Sequence, residues 1–408
     1  MKRLFLPLLL LSLLLLPVGL SRPADAATLV WPSSNCFDTL QDCIDFAMPG
    51  DIVEVASQGP IFGSLEIVGK SLTLRPHPGF FPVFEPGFVN VLSGTPNVNV
   101  TVTIQGLTLK RGYLDFTQTG PGIFDVRVLD NTFLDVHHLA IHIAASNVAV
   151  PLGPVAFNIS GNRIAQNNPS PSQYRAIWVE GFKNAARGRI VGNVIQQTGA
   201  PTQGGVITLH NNNSPLTVDV LSNEIRGGSF NSGISLYQSG SRGRLAARVV
   251  NNLVVGQVDR AASPAGISLI SAEGLLNAEV VNNTIVGGDT GVLASAPLQF
   301  GARLTGILAN NLVVGHRQVG IAIDPAIEAT FLNENNLSFR NLTDSFAPGT
   351  GTLFNDPLFQ TANDFRLRSN SPARDAGANA RVPPDVTLDL AGSPRIQGAA
   401  VAIGAYER

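Results

Sequence analysis

His142, Trp178, Glu180, His210 and Tyr237 are the residues of this chain whose types and spacing could do chemistry. Imidazoles give and take protons near neutral pH, and a carboxylate can join them as acid or base. Trp and Tyr offer flat apolar faces with a polar edge, suited to the rings of sugars. The five stand in successive short segments of one type: Ala140-Ile-His-Ile, Ala176-Ile-Trp-Val-Glu, Val206-Ile-Thr-Leu-His and Gly233-Ile-Ser-Leu-Tyr. With the Ile and Leu of each segment turned inward, one outward column reads His142, Trp178, Thr208, Ser235, Ser268, Leu293, Ala322. A second column, two residues on, reads Ala144, Glu180, His210, Tyr237, Ile270, Ser295, Asp324. The reactive types gather at the start of both columns and give way to small or bland residues later.

A β-elimination on a uronate polymer needs a base beside the carboxylated carbon, a cation to neutralise the carboxylate and an acid for the leaving oxygen. His210 is the expected base, Tyr237 the acid, and Arg175 or Lys183 the neutralising cation. Glu180 completes the catalytic set, with Trp178 and His142 contacting substrate. The same residues also suit binding without turnover, or plain packing under a loop in a structural or adhesive protein. A glycosidase would need a second carboxylate about 5–10 Å from Glu180. In its column only Asp324 qualifies, five rungs away or roughly 24 Å at the strand spacing. A further group, Asp130, Asp135, His137 and His138, reads as a solvated turn.

What must position these residues is a repeat. Asn131, Asn162, Asn193, Asn223, Asn252, Asn283, Asn311 and Asn336 recur at intervals of 31, 31, 30, 29, 31, 28 and 25 residues. A period in this range marks a solenoid. Asn tolerates a left-handed turn, and amides stacked coil on coil can hydrogen-bond to one another. Each repeat holds three short segments of alternating apolar residues with no helical period, which fits β-strands. Stacked in parallel they make an all-β parallel β-helix. The composition, with 41 Gly, 27 Pro, 14% charged and 44% hydrophobic residues, fits a long thin core. The long connections at 166–175, 196–205 and 257–265 should rise beside the reactive columns, with Tyr174 at the base of the first.

These Asn-x-(Ile/Leu/Phe) and Gly-Ile-x-Leu patterns resemble the pectin-lyase-like family of right-handed parallel β-helices over about residues 35–345. The resemblance implies the architecture and not an activity. The Asn-Thr-Asp, Asp-Asp and Gly-His-Gly signatures of the related polygalacturonases do not occur in that arrangement. Neither does the Arg-x-Pro-x-x-Arg of pectate lyases. Asp38-Thr-Leu-Gln through Asp51-Ile-Val-Glu-Val is similar to the start of such proteins, where a short helix caps the coil stack. Asp38 is its expected N-cap. Asp356-Pro-Leu-Phe359, Asp364-Phe-Arg-Leu, Asp375-Ala-Gly377, Asp389-Leu-Ala-Gly392, Pro394-Arg395 and Gly404-Ala-Tyr-Glu407 resemble the choice-of-anchor Q domain of bacterial secreted proteins, over about 352–408. In that family an anchoring signal often follows. None stands here before Arg408, so free secretion is expected. The segment itself should form a structural cap.

Lys2-Arg3, an apolar run from Leu4 to Leu16 and Ala24-Asp-Ala26 read as a signal peptide. Pro7 and Pro17 break the run, which is short for a membrane span. The expected division is therefore 1–26 signal peptide, 27–60 N-terminal cap and first strand, 61–345 β-helix and 346–408 C-terminal module. Loss of Lys2, Arg3, Arg22 and Asp25 moves the net charge from −2 to −4, which argues against a nucleic-acid partner. Export favours a disulfide between Cys36 and Cys43, the only two cysteines. No metal motif is present, and no dense Asp/Glu cluster argues for calcium, though loop carboxylates are able to bind it. The expectation is thus a secreted or periplasmic monomer that engages polysaccharide and has no span in the mature chain.

Overall fold

The computed structural model describes residues 26–408 except 34–35, 37, 95–96, 137, 147–150, 169–174, 200–204, 228–230, 257–264, 298–300, 328–329 and 346–347. The region read as a signal peptide lies outside the described residues, apart from Ala26. Each coil supplies three parallel strands, as in Val155–Ser160, Arg163–Asn168 and Arg175–Glu180. The first strand of every coil joins a 12-stranded sheet, and the second and third join sheets of 11 strands each. The result is an all-β, right-handed parallel β-helix with three sheets. Alternation fixes the register. In the third sheet Ile141, Ile177, Ile207, Ile234, Ile267, Val292 and Ile321 pair in sequence and all point into the core. A one-residue slip would turn that aliphatic column outward, so each coil locks the next.

The asparagines form one buried ladder at the turn between the first and second sheets. Each amide Nδ2 donates to the Oδ1 of the next Asn, at 2.9–3.1 Å, from Asn131 through to Asn336. That Oδ1 also accepts the backbone N–H of the preceding ladder residue, and Nδ2 reaches a strand carbonyl one coil back, as Asn252 does to Val220. Every amide is fully buried, so its polar atoms must be paired inside the protein. The ladder residues do not themselves adopt the left-handed conformation. The residue before each one does: Asp130, Gly161, Gly192, Ser222, Asn251, Asn282, Asn310 and Asn335. That position carries the positive φ, which leaves the ladder Asn free to point inward.

At the N-terminus, strand Thr28–Trp31 pairs with Ile52–Val55 and so precedes the helix. Helix Leu40–Phe46 places Leu40, Cys43 and Ile44 in the core, and Cys43 is joined to Cys36 by a disulfide. Its N-cap is Thr39 and not Asp38. Thr39 Oγ accepts from the Asp42 N–H while the Asp42 carboxylate accepts the Thr39 N–H, a reciprocal capping box. At the other helix end Lys70 Nζ donates to the carbonyls of Ile44, Asp45 and Ala47, which satisfies groups a helix C-terminus leaves open.

The C-terminal segment does more than close the far end. Thr350 and Leu353 pair with Glu334 and Leu337 to extend the stack. The chain then folds back along the late coils. Phe365, Ala405 and Tyr406 pack on Leu253, Val255 and Val286, while Leu367, Ala402 and Ile403 pack on Leu312, Leu337, Val314 and Phe339. The left-handed asparagines hold it: Asn251 Nδ2 donates to the Leu388 carbonyl, Asn282 to Ala402, and Asn310 Oδ1 accepts the Ala378 N–H. Arg395 is fully buried against Glu407 at 2.5 Å and donates to Asn251 Oδ1 at 3.0 Å. Asp389 accepts the N–H groups of Ser393 and Glu407. The acidic and Gly positions of this segment thus serve its own folding and docking.

Candidate functional site

The third sheet sets Asp115, His142 and Trp178 side by side in one outward column, and Glu180, His210 and Tyr237 in the next. Their side chains reach across the columns to form a chain of contacts. His142 Nδ1 is 3.1 Å from Asp115 Oδ1, and its Nε2 is 3.5 Å from Glu180 Oε1, at ion-pair range without hydrogen-bond geometry. The other Glu180 oxygen is 3.4 Å from His210 Nδ1. His210 Nε2 in turn lies 2.9 Å from Ser239 Oγ, which sits 2.7 Å from Asn212 Oδ1.

Rings hold these groups in place. His142 packs on Trp178 with centroids 4.8 Å apart, and His210 packs on Tyr237 at 5.0 Å. The Arg175 guanidinium lies 4.0 Å over the Trp178 ring, a cation–π contact. Trp178 is therefore engaged by both His142 and Arg175, and its indole N–H is buried without a partner. Tyr237 is half-buried, and its one ring contact among the described residues is His210. Lys183 lies in the exposed turn that follows the Glu180 strand.

The charges separate the roles. Burial alone would lower the pKa of His142, but its bond to Asp115 and the nearby charges of Asp115 and Glu180 outweigh it and raise it to about 9. Burial would raise Glu180, yet His142 and His210 bring it down to about 2. His142 is thus a fixed cation at neutral pH and Glu180 a fixed anion. Neither is poised to exchange a proton. Arg175 is drawn downward by burial, partly offset by the charge of Glu180. His210 Nε2 faces a hydroxyl, that of Ser239.

Two expectations change. No carboxylate close to Glu180 shares its column, but Asp115 stands in the neighbouring column two coils earlier. The His142 ring fills the space between the two, so neither sugar nor water can sit there. The pair is an ion triad with His142 and not a glycosidase pair. The long connections are also shorter than expected, because strands Arg163–Asn168 and Val194–Gly199 run past Gln166 and Gln196. The remaining loop residues, Tyr174 among them, lie outside the described residues, as does His137. Asp130 and Asp135 are left-handed turn residues, and the His138 carbonyl accepts the Arg175 N–H.

Asp115, Asn212 and Ser239 were missed, although the same alternation reaches them. Tyr113-Leu-Asp-Phe-Thr repeats the outward pattern one coil before His142. Asn212 and Ser239 are the next outward positions after His210 and Tyr237. Among the described residues, no group of three or more His, Cys, Asp or Glu converges as a metal site.

No family model matches the chain, and no curated protein matches it. Among solved structures the chain is similar to one titled "Crystal structure of pectate lyase Pel9A", with 11% identity over 94% of this chain and 96% of that one and a TM-score of 0.39. The likeness is too distant to carry any residue's role across.

Proposed function

We propose that the protein engages polysaccharide along the early coils of the third sheet, outside the cytoplasm. The observation that supports this reading is the row Asp115, His142, Trp178, Glu180, His210 and Tyr237, placed on consecutive rungs of a sheet whose later outward positions are Ser268, Leu293 and Ala322. A rigid flank offering charge, proton-transfer groups and a Tyr ring at regular spacing suits a polymer lying across the strands. The Cys36–Cys43 disulfide favours an oxidising compartment, where such polymers occur. No helix among the described residues is long and apolar enough to cross a membrane.

The lyase assignment finds its base in His210 and its acid in the neighbouring Tyr237. Its cation is less well served, because Arg175 is packed onto Trp178. The competing class is a structural or adhesive protein in which the row only stiffens the flank. A screen of residues 27–408 against uronate and neutral polymers separates these, reading binding and, for uronates, unsaturated product by ultraviolet absorbance. Binding that is lost in Tyr237→Ala supports the reading. A folded protein that binds none of the polymers favours the structural alternative.

A further inference from the structure

We infer that Ser239, His210 and Glu180 form a nucleophile–base–carboxylate triad that hydrolyses acyl esters, and that its substrates are ester-decorated sugars of the polymer bound on this flank. The polymer part rests on the proposed function, whereas the triad rests on geometry alone. Ser239 Oγ is 2.9 Å from His210 Nε2, within the range at which a base takes a hydroxyl proton. On the far side of the ring, Nδ1 faces Glu180 Oε2 at 3.4 Å. An ionised carboxylate can only accept, so this approach favours the tautomer with the proton on Nδ1. Its Nε2 lone pair is then bare and directed at the Ser239 hydroxyl, the tautomer that such catalysis needs.

The orienting parts are also present. Tyr237 packs on the imidazole at 5.0 Å and fixes its plane. His142, itself paired with Asp115, stands 3.5 Å from the other Glu180 oxygen. The Ser239 hydroxyl donates to Asn212 Oδ1 at 2.7 Å. With its oxygen and nitrogen exchanged, the Asn212 amide would donate to Oγ and leave the hydroxyl proton for His210 Nε2. Ser239 follows the strand Ser232–Gln238 directly and is half-buried, so the hydroxyl sits on a rigid element within reach of solvent.

The step balances with water as the only co-reactant. Ser239 Oγ bonds to the ester carbonyl carbon as its proton passes to His210 Nε2. The carbon–alkoxy bond breaks, and the departing sugar oxygen takes that proton. Water then gives a proton to His210 and its hydroxyl to the acyl carbon. The carbon–Oγ bond breaks, Ser239 recovers its proton, and a carboxylic acid leaves.

The test is labelling of the whole protein with a fluorophosphonate probe, followed by peptide mass mapping, together with acetate release from acetylated polysaccharide. The expected result is a single adduct on Ser239, absent in Ser239→Ala and slowed at least about 100-fold in His210→Ala. Glu180→Gln, which keeps shape and removes charge, should slow it as well. Circular dichroism establishes that each variant is folded. Binding of unacetylated polymer by Ser239→Ala is measured separately, so loss of the triad and loss of the polymer reading are distinguishable. A folded wild-type protein with no adduct on Ser239, or acetate release unchanged in Ser239→Ala, overturns the inference.

Discussion

The second and third sheets of this solenoid are built from the same alternating strands, yet they use their outward faces differently. On the second sheet one outward column runs Arg163, Val194, Glu224 and then Leu253, Thr284, Leu312, Leu337. From Leu253 onward that face is buried beneath the folded-back C-terminal segment. On the third sheet the order is the same, with small or apolar residues later, but its early coils add aromatic rings and linked histidines to the charges. A solenoid's core asks the same of every coil, so its outward columns are free to vary. On the second sheet, where the column turns apolar, the C-terminal chain covers it. On the third sheet the early polar residues link to one another instead.

The comparison breaks first at the covered flank. Arg395 and Glu407 form a buried ion pair, and removing one partner leaves a charge without compensation. Glu407→Gln should lower stability by about 3–5 kcal/mol in urea unfolding. It should also raise hydrogen exchange around Phe365 and Tyr406. A neutral result would mean that the segment docks without this pair.

A smaller loss is expected at the ladder, which both flanks share. Asn252→Ala deprives the Asn223 amide and backbone N–H of their acceptor, Asn283 Oδ1 of one of its two donors and the Val220 carbonyl of its donor. A cost of about 1–3 kcal/mol follows, readable as a lower thermal midpoint.

Two histidines set pH limits of opposite sign. His142 is held near 9 when folded, above its ordinary value of 6.5. The stability it contributes is full below about 6.5 and is lost as pH rises through 9. His316 is buried, and burial lowers its pKa to about 4 despite the nearby backbone of Ile285 and Gly287, which opposes it. Its contribution is present above about 6.5 and fades as pH falls toward 4. Each arm should amount to roughly 1–3 kcal/mol at most. His142→Gln should flatten the alkaline arm of a stability–pH curve and His316→Leu the acid arm. Unchanged arms in both variants would sink the electrostatic account of the flank.

Much of this was legible in the sequence, and the reasons are physical. The Asn interval and the Gly-Ile-x-Leu alternation gave the architecture because each coil must bury the same face. They also gave the two outward columns, since the pleat period of two leaves no choice of side. The left-handed turn was placed one residue too late, because Asn131 and Asn162 carry the visible repeat while Asp130 and Gly161 carry the strain. The docking of the tail was missed although the signal stood in the chain. Leu253-Val-Val and Leu312-Val-Val lose the alternation of Arg163-Ile-Ala, as strands covered on both faces do. Asn251-Asn252, Asn282-Asn283 and Asn310-Asn311 then supply a second, outward amide at the same coils. The approach of His142 to Glu180 was not legible, because pairing across columns depends on side-chain reach and not on periodicity.

The most direct test of the third-sheet flank as the functional face is the affinity of Tyr237→Ala for a polymer that the wild-type protein binds, measured by titration calorimetry. A loss of about 5–150-fold is predicted, equivalent to about 1–3 kcal/mol by analogy with bases stacked on aromatic side chains. Undiminished affinity in a folded Tyr237→Ala protein, and equally in His210→Ala, would contradict the account and move the binding face elsewhere on the solenoid.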